Sequence, residues 1–320
     1  MLGLRHEVQG VRAMHSPGKL SNGRQKGFHF KTYNLKPNTG QLKNPETLKN
    51  KRKRMNHDKE IPSAYTPAEL MVTAAAREIS DGEVVFVGMR LPLLGFLLAK
   101  NTHAPNAVGI YELGIIRNLP TPGPILTMGD LPNLFRAQCC TDSADVMGLL
   151  QQGLVDASFI GGAQLDRFGN LNTSYIGPVS EIQTRLPGSG GACDLASLSR
   201  RHIIIMVHEK RRFVERVDYI TSPGYGTGAG WRKAVGLPRG GPSVVITTMG
   251  ILRFDPSTRE MLLASLHPGV TLAEVCDNTG WRLKTVACLD FTPVPGREEL
   301  EMLRRFDPRG YWTGRTPGRP

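Results

Sequence analysis

Three short runs, "ASFIGG" (157–162), "HIIIMVH" (202–208) and "SVVITT" (243–248), are apolar almost without interruption. A strand with one face in water alternates apolar and polar residues. A strand covered on both faces does not, and such runs mark the buried strands of a mostly parallel sheet clothed by helices. The pattern predicts a three-layer α/β/α domain built on an open, mostly parallel sheet.

Helix signals agree with this. "TPAE" supplies Thr66 as an N-cap, Pro67 at the first helical position and Glu69 to close a capping box, so a helix is expected from there to about Ile79. "DGEVVFVG" then reads as a strand, "PLLGFLLAK" as a helix and "NAVGIYEL" as the next strand, in the order α, β, α, β. Thr271 and Glu274 form a second capping box, and "REELEMLRRF" reads as a closing helix with one polar face. Beyond Asp307 the Pro, Gly and Arg of the tail predict fraying.

The formal charge of +12 invites a nucleic-acid reading until its distribution is examined. Residues 1–54 carry 13 Lys/Arg against 2 Asp/Glu, whereas residues 55–320 carry 27 against 26, which is +11 and +1. The first segment lacks strand or helix periodicity and ends in "KNKRKR", so it is expected to be a basic, disordered extension or sequence upstream of a true start at Met55. The rest, 55–320, is expected to be one α/β domain with no nucleic acid as partner. No stretch of about 18 apolar residues is present and the N-terminus has no apolar signal core, so no membrane span is expected and the default location is cytoplasmic. Five cysteines, Cys139, Cys140, Cys193, Cys276 and Cys288, form no CxxC pair. They are expected to be reduced, buried small hydrophobes rather than a disulfide frame or metal site.

Long irregular stretches, "RNLPTPGPILTMGDLPN", "NLNTSYIGPVSEIQTRLPGSGG" and "TSPGYGTGAGWRKAVGLPRGGP", are too long for idle connections and are expected to build a ligand site. Within them the usual signatures of serine hydrolysis, zinc proteolysis, P-loop phosphoryl transfer and EF-hand calcium binding are missing. "GYGTGA" after the apparent strand "VDYITS" imitates a dinucleotide fingerprint. The required helix does not follow, because "GWRKAVGLPRGG" soon breaks on Gly and Pro. "HEKRRF" places Lys210, Arg211 and Arg212 after an apolar strand, either to meet phosphates or to form a solvated turn. The glycines of "PGSGGA" let backbone N–H groups converge on an anion, or form an ordinary turn. "GGAQLDRFGN" reads as a turn with Asp166 and Asn170 bonded to backbone. Finally, "GIYELGII" (109–116) sets one carboxylate, Glu112, in what reads as a buried apolar strand. Burial of an unpaired carboxylate costs several kcal/mol, roughly 2–7 even for neutral polar groups, so it needs a partner or a use.

Taken together, "VGMRLPLLG", "IYELGII", "FIGGAQLDRFGNLN", "PGSGGACDLAS", "IIIMVHEKRRF", "VDYITSPG" and "GILRFD" resemble the β subunits of family I coenzyme A transferases, of the glutaconate CoA-transferase type. The resemblance spans about residues 66 to 306. It implies the open α/β/α sheet of that superfamily, an α subunit of similar fold as partner in an αβ or larger hetero-oligomer, and transfer of CoA from an acyl-CoA to a carboxylic acid. Coenzyme A is then a substrate, with no permanently bound cofactor and no metal. The family's catalytic glutamate, in a short E-x-G, falls on Glu112, which would carry CoA as a glutamyl thioester. The glycine loop maps an oxyanion-binding amide onto Gly188, Gly190 or Gly191, and Lys210, Arg211 and Arg212 become candidate contacts for CoA phosphates. Two departures bear on which acid is accepted. The glutamate is flanked by Tyr111 and Leu113 where relatives commonly carry Ser and then Asn or Ser, and Met89 and Arg90 replace a smaller pair. "SLHPGVT" also resembles the ring-opening CoA-ester hydrolases of the same fold, the alternative activity. Those lack a glutamate at this position.

Overall fold

A computed structural model describes residues 65–237 and 239–315. The basic extension 1–54 and the start near Met55 lie outside the described residues. The fold opens as the capping box requires. Helix α1 (Pro67–Arg77) begins at Thr66, whose Oγ1 accepts from Glu69 N at 3.1 Å while the Glu69 carboxylate accepts from Thr66 N at 2.9 Å. It is followed by β1 (Val84–Phe86), α2 (Leu91–Asn101) and β2 (Val108–Tyr111), the expected αβαβ order. Next come β3 (Ile115–Arg117), the short helix α3 (Leu131–Leu134), β4 (Cys139–Cys140), α4 (Ser143–Gln151) and β5 (Ala157–Ile160). Two small hairpins, β6 (Gln164–Leu165) with β7 (Leu171–Asn172) and β8 (Tyr175–Ile176) with β9 (Thr184–Arg185), lead to α5 (Ala192–Leu198) and β10 (Arg201–Met206). The chain ends with α6 (Trp231–Ala234), β11 (Pro242–Thr247), β12 (Gly250–Phe254), β13 (Met261–Leu266), α7 (Leu272–Asp277), β14 (Lys284–Phe291) and α8 (Arg297–Phe306).

Ten strands form one sheet in the order β14-β13-β12-β11-β10-β5-β1-β2-β3-β4. The centre, β11-β10-β5-β1-β2, is parallel throughout. Antiparallel neighbours flank it on both sides, β12 and β13 at one end and β3 and β4 at the other. The uninterrupted apolar runs are the central strands, and each sends alternate residues to two different cores. Ile203, Ile205, Val244 and Ile246 join Val72, Phe96 and Leu303 on the face covered by α1, α2 and α8. Ile204, Met206 and Val245 join Val146, Leu150, Leu195 and Val275 on the face covered by α4, α5 and α7. The three-layer α/β/α architecture follows directly.

Three local expectations need correction. "VDYITS" is not a strand; it packs along the β6–β7 hairpin, with an isolated bridge from Ser222 to Leu171 and hydrogen bonds between Asp218 and Gln164. The tail does not fray at Asp307. Its buried carboxylate accepts hydrogen bonds from the backbone N–H groups of Tyr311, Trp312 and Thr313, and Thr313 O accepts from Thr66 Oγ1, so the segment to 315 is tied back to the start of α1. All five cysteines are free, as expected, but exposed rather than buried. Cys139, Cys140 and Cys288 lie on the two outermost strands, β4 and β14, where little packs over the sheet. Among the described residues no helix is long and apolar enough to cross a membrane.

The core holds histidines that stay neutral at pH 7. His202 on β10 is fully enclosed with both ring nitrogens unpartnered among the described residues, and burial, aided by the charge of Arg232, pushes its pKa down to about 3. His208, between the hydroxyls of Thr247 and Thr279, is lowered to about 4 by burial. An unfolded histidine titrates near pH 6.5, so between about 6.5 and 4 the unfolded chain binds more protons than the native one. Their stabilising contribution is complete above about pH 6.5 and is lost as the pH falls through that window, at up to about 1.4 kcal/mol per pH unit for each group. Urea unfolding from pH 7 to 4.5 is expected to show this slope, and His202→Phe to make it shallower. An unchanged slope in the variant would mean that His202 protonates alike in both states.

Candidate active site

The run "GIYELGII" is not one strand. β2 stops at Tyr111, β3 starts at Ile115, and Glu112, Leu113 and Gly114 reverse the chain between them, with Gly114 N donating to Tyr111 O at 2.9 Å. Gly114 is required twice over. Its φ is +94°, and a Cβ there would sit 2.2 Å from the Thr141 carbonyl oxygen, whose own N–H donates to Gly114 O at 2.8 Å. Glu112 is therefore a half-buried residue on a turn, not a carboxylate sealed in a strand, and the full burial cost expected from the sequence does not arise. The turn sits at the carboxyl end of a central parallel strand, where open α/β sheets place their ligands.

The glycine loop forms the facing wall. Gly188 has φ +98° and Gly190 φ +48°, and Gly191 is the N-cap of α5. Gly191 N donates to Glu112 Oε1 at 3.2 Å, joining residues 79 apart in sequence. The approach is close: a Cβ on Gly191 would lie 3.0 Å from Glu112 Oε1 and 3.1 Å from Met147 Cε. Of the other two glycines, Gly188 N is committed to Thr173 O at 2.8 Å, whereas Gly190 N–H has no acceptor within the described residues. Sequence reasoning missed Met147, which backs this contact from α4 and carries no motif.

Behind the turn lies a buried pair. Tyr111 is completely enclosed, its hydroxyl has no partner among the described residues, and burial raises its pKa well above the ordinary value. Arg117, lowered by burial, donates to the carbonyls of Pro120, Asn133 and Phe135 at 2.6, 3.0 and 2.8 Å. It thereby fastens the long stretch after β3 to the hairpin. Leu113, Leu131 and Phe135 remain exposed around it.

A coenzyme A transferase family model matches residues 68–278. The chain belongs to the coenzyme A transferase family. This CoA transferase is 40% identical over 248 residues to the B subunit of 3-oxoadipate CoA-transferase from Pseudomonas knackmussii, covering 77% of this chain and 95% of that one. It is 39% identical over 254 residues to the B subunit of glutaconate CoA-transferase from Acidaminococcus fermentans, covering 76% and 95%. The crystal structure of the Acidaminococcus fermentans glutaconate enzyme matches with a TM-score of 0.73 at 35% identity, covering 78% of this chain and 98% of that chain.

In the CoA transferase chain the remaining sequence candidates fall elsewhere. Arg211 and Arg212 both pair with Glu209, at 2.7 and 3.1 Å. Lys210 lines a cleft with Arg167, Arg282 and Lys284, to which Glu112 does not contribute. "GYGTGA" enters a helix of only four residues from a left-handed Gly230, so it offers no helix end for a pyrophosphate. "GGAQLDRFGN" is the β6–β7 hairpin, as its turn chemistry predicted: Asp166, pushed up by burial against its hydrogen bonds, accepts from Asn170 and Phe168. Asn170 in turn accepts from Gly224 N and Gly226 N, both at 3.0 Å. Among the described residues no group of three or more His, Cys, Asp or Glu is placed to hold a metal ion.

Gly114→Ala is expected to destabilise the domain by more than about 2 kcal/mol, from left-handed strain plus the clash with Thr141. Chemical denaturation checks this; a loss below about 0.5 kcal/mol, the range of a neutral surface change, would show that the turn can relax.

Proposed function

We propose that this chain is the B subunit of an enzyme that moves CoA from an acyl-CoA to a carboxylic acid, with Glu112 carrying CoA between the two. The observation that carries this reading is the contact of a half-buried carboxylate, on a turn at a strand's carboxyl end, with the Gly191 amide of the glycine loop.

A Glu112 oxygen attacks the thioester carbonyl, forming a C–O bond as the C–S bond breaks, and releases CoA thiolate from a mixed anhydride. The thiolate attacks the glutamyl carbonyl of that anhydride, leaving an enzyme thioester and freeing the first acid. The acceptor carboxylate then repeats both steps in reverse. No proton has to move, because carboxylates attack and thiolates leave as anions. A glutamate carboxyl near pKa 4.3 is a far better leaving group than a thiol near 8.5, so the first displacement runs uphill by about 5 to 6 kcal/mol. Contacts with the remote parts of CoA are the natural source of compensation. Gly190 N–H, uncommitted among the described residues while those of Gly188 and Gly191 are spent, is the candidate donor for a developing oxyanion. One such donor contributes about 3 to 4 kcal/mol. The relatives are B subunits, so an A subunit is the expected partner. Of the three basic residues, Lys210 is the one left free of Glu209 for a CoA phosphate.

With the A subunit present, Glu112→Ala is expected to lower transfer by more than about 10⁴-fold. The Glu112 peptide of the unmodified enzyme, incubated with acyl-CoA, is expected to gain the mass of bound CoA. Full activity in the variant sinks the mechanism; hydrolysis without an acceptor acid and without an adduct assigns thioester hydrolysis instead. Gly191→Ala keeps the carboxylate but displaces it, and is expected to cost about 10²-fold in kcat, read from steady-state kinetics.

A further inference from the structure

The loop around "GYGTGAGWRK" does build a cleft, though not a dinucleotide site. Its volume is about 460 Å³, and Tyr225, Arg232, Lys233, Arg239 and Arg259 line it with several glycines. Small-ligand pockets run from roughly 300 to 1,000 Å³. Four cations line this one, and no carboxylate does.

Three of the four cations are held in place by contacts around the cleft. Arg232 is buried and spends its donors on five carbonyls, those of Pro223, Gly224, Ala196, Ser197 and Arg239, which satisfy its N–H groups without cancelling its charge. The bond to Arg239 O, at 2.8 Å, also fixes the backbone from which Arg239 projects. The Arg239 guanidinium lies against Gly153, where a Cβ would come within 2.1 Å of it. Arg259 has φ +63°, a left-handed conformation unusual for an arginine. Its N–H donates to Asp255 O at 2.9 Å, and its guanidinium sits 5.1 Å from the ring centre of Tyr225, itself anchored by a hydrogen bond to Pro242 O at 2.8 Å. Lys233, Arg239 and Arg259 form no ion pair among the described residues. Like charges gathered in one cleft repel one another unless an anion joins them, and guanidinium forks match phosphate oxygens in geometry.

We propose that this cleft binds the phosphate groups of a small molecule, a diphosphate or phosphomonoester held by Lys233, Arg239 and Arg259 in the field of Arg232. It lies where β11 begins, whereas Glu112 follows the end of β2, four strand spacings or about 19 Å along the sheet. The phosphates belong either to CoA or to a separate phosphorylated molecule.

The probe is inorganic pyrophosphate, titrated calorimetrically at fixed ionic strength into the full-length chain complexed with its A subunit. Saturable binding is expected, about tenfold weaker in Lys233→Gln and in Arg259→Gln, and unchanged in Arg305→Gln, which removes the same charge from the exposed side of α8. No saturable binding up to about 10 mM, or equal affinity in all variants, overturns the proposal. The source of the phosphates is read from acyl-CoA kinetics of the same two variants. A raised KM with kcat unchanged assigns them to CoA, and an unchanged KM assigns them to a separate ligand. The pyrophosphate titration needs no turnover, so its failure is distinguishable from failure of the transfer reading.

Discussion

The parallel pairing of five strands buried on both faces governs the rest of the molecule. In β10 and β11 every second residue faces one core and its neighbour faces the other, so polar side chains are admitted only with a partner nearby. Ser158 meets Ser199, and Thr247 meets His208; His202 and the hydroxyl of Tyr111 are exceptions, kept neutral by their burial. Chemistry that needs charge is displaced to the turns beyond the strand ends. Glu112 stands at one of these, one residue past the last member of β2.

The sheet and the helices were legible because they depend on local patterns: uninterrupted apolar runs, two capping boxes and a closing helix with one wet face. The hairpin at Glu112 was not. Eight residues of nearly unbroken apolar character read as one strand, and only the left-handed Gly114, pressed against Thr141, breaks them in two. Whether that glycine faces open space or another backbone is decided by residues 27 positions away. The same holds for the tail, where one aspartate gathers three backbone N–H groups that composition alone leaves unassigned.

The site was legible as parts rather than as an arrangement. The carboxylate and the glycine loop stood out individually, and resemblance to a family put them in one place; the 3.2 Å contact supplies the geometry. Glycines here serve proximity more than flexibility. At Gly191 a single added methyl would press on both the carboxylate and Met147, so the spacing of the two walls is set to within about one atom. The cationic cleft was legible only in part. Arg232, Lys233 and Arg239 lie within eight residues of one acid-free loop, but only folding adds Arg259 from beyond β12 and closes the four cations into one cleft.

The sheet is open, and its last strand has consequences for how the protein behaves when crowded. Among the described residues β14 pairs with β13 on one side only and is exposed along most of its length, with Phe291 and Cys288 on its surface. A bare strand edge is a template for any other extended chain, including an identical one. At high concentration such an edge favours edge-to-edge association between copies of the chain.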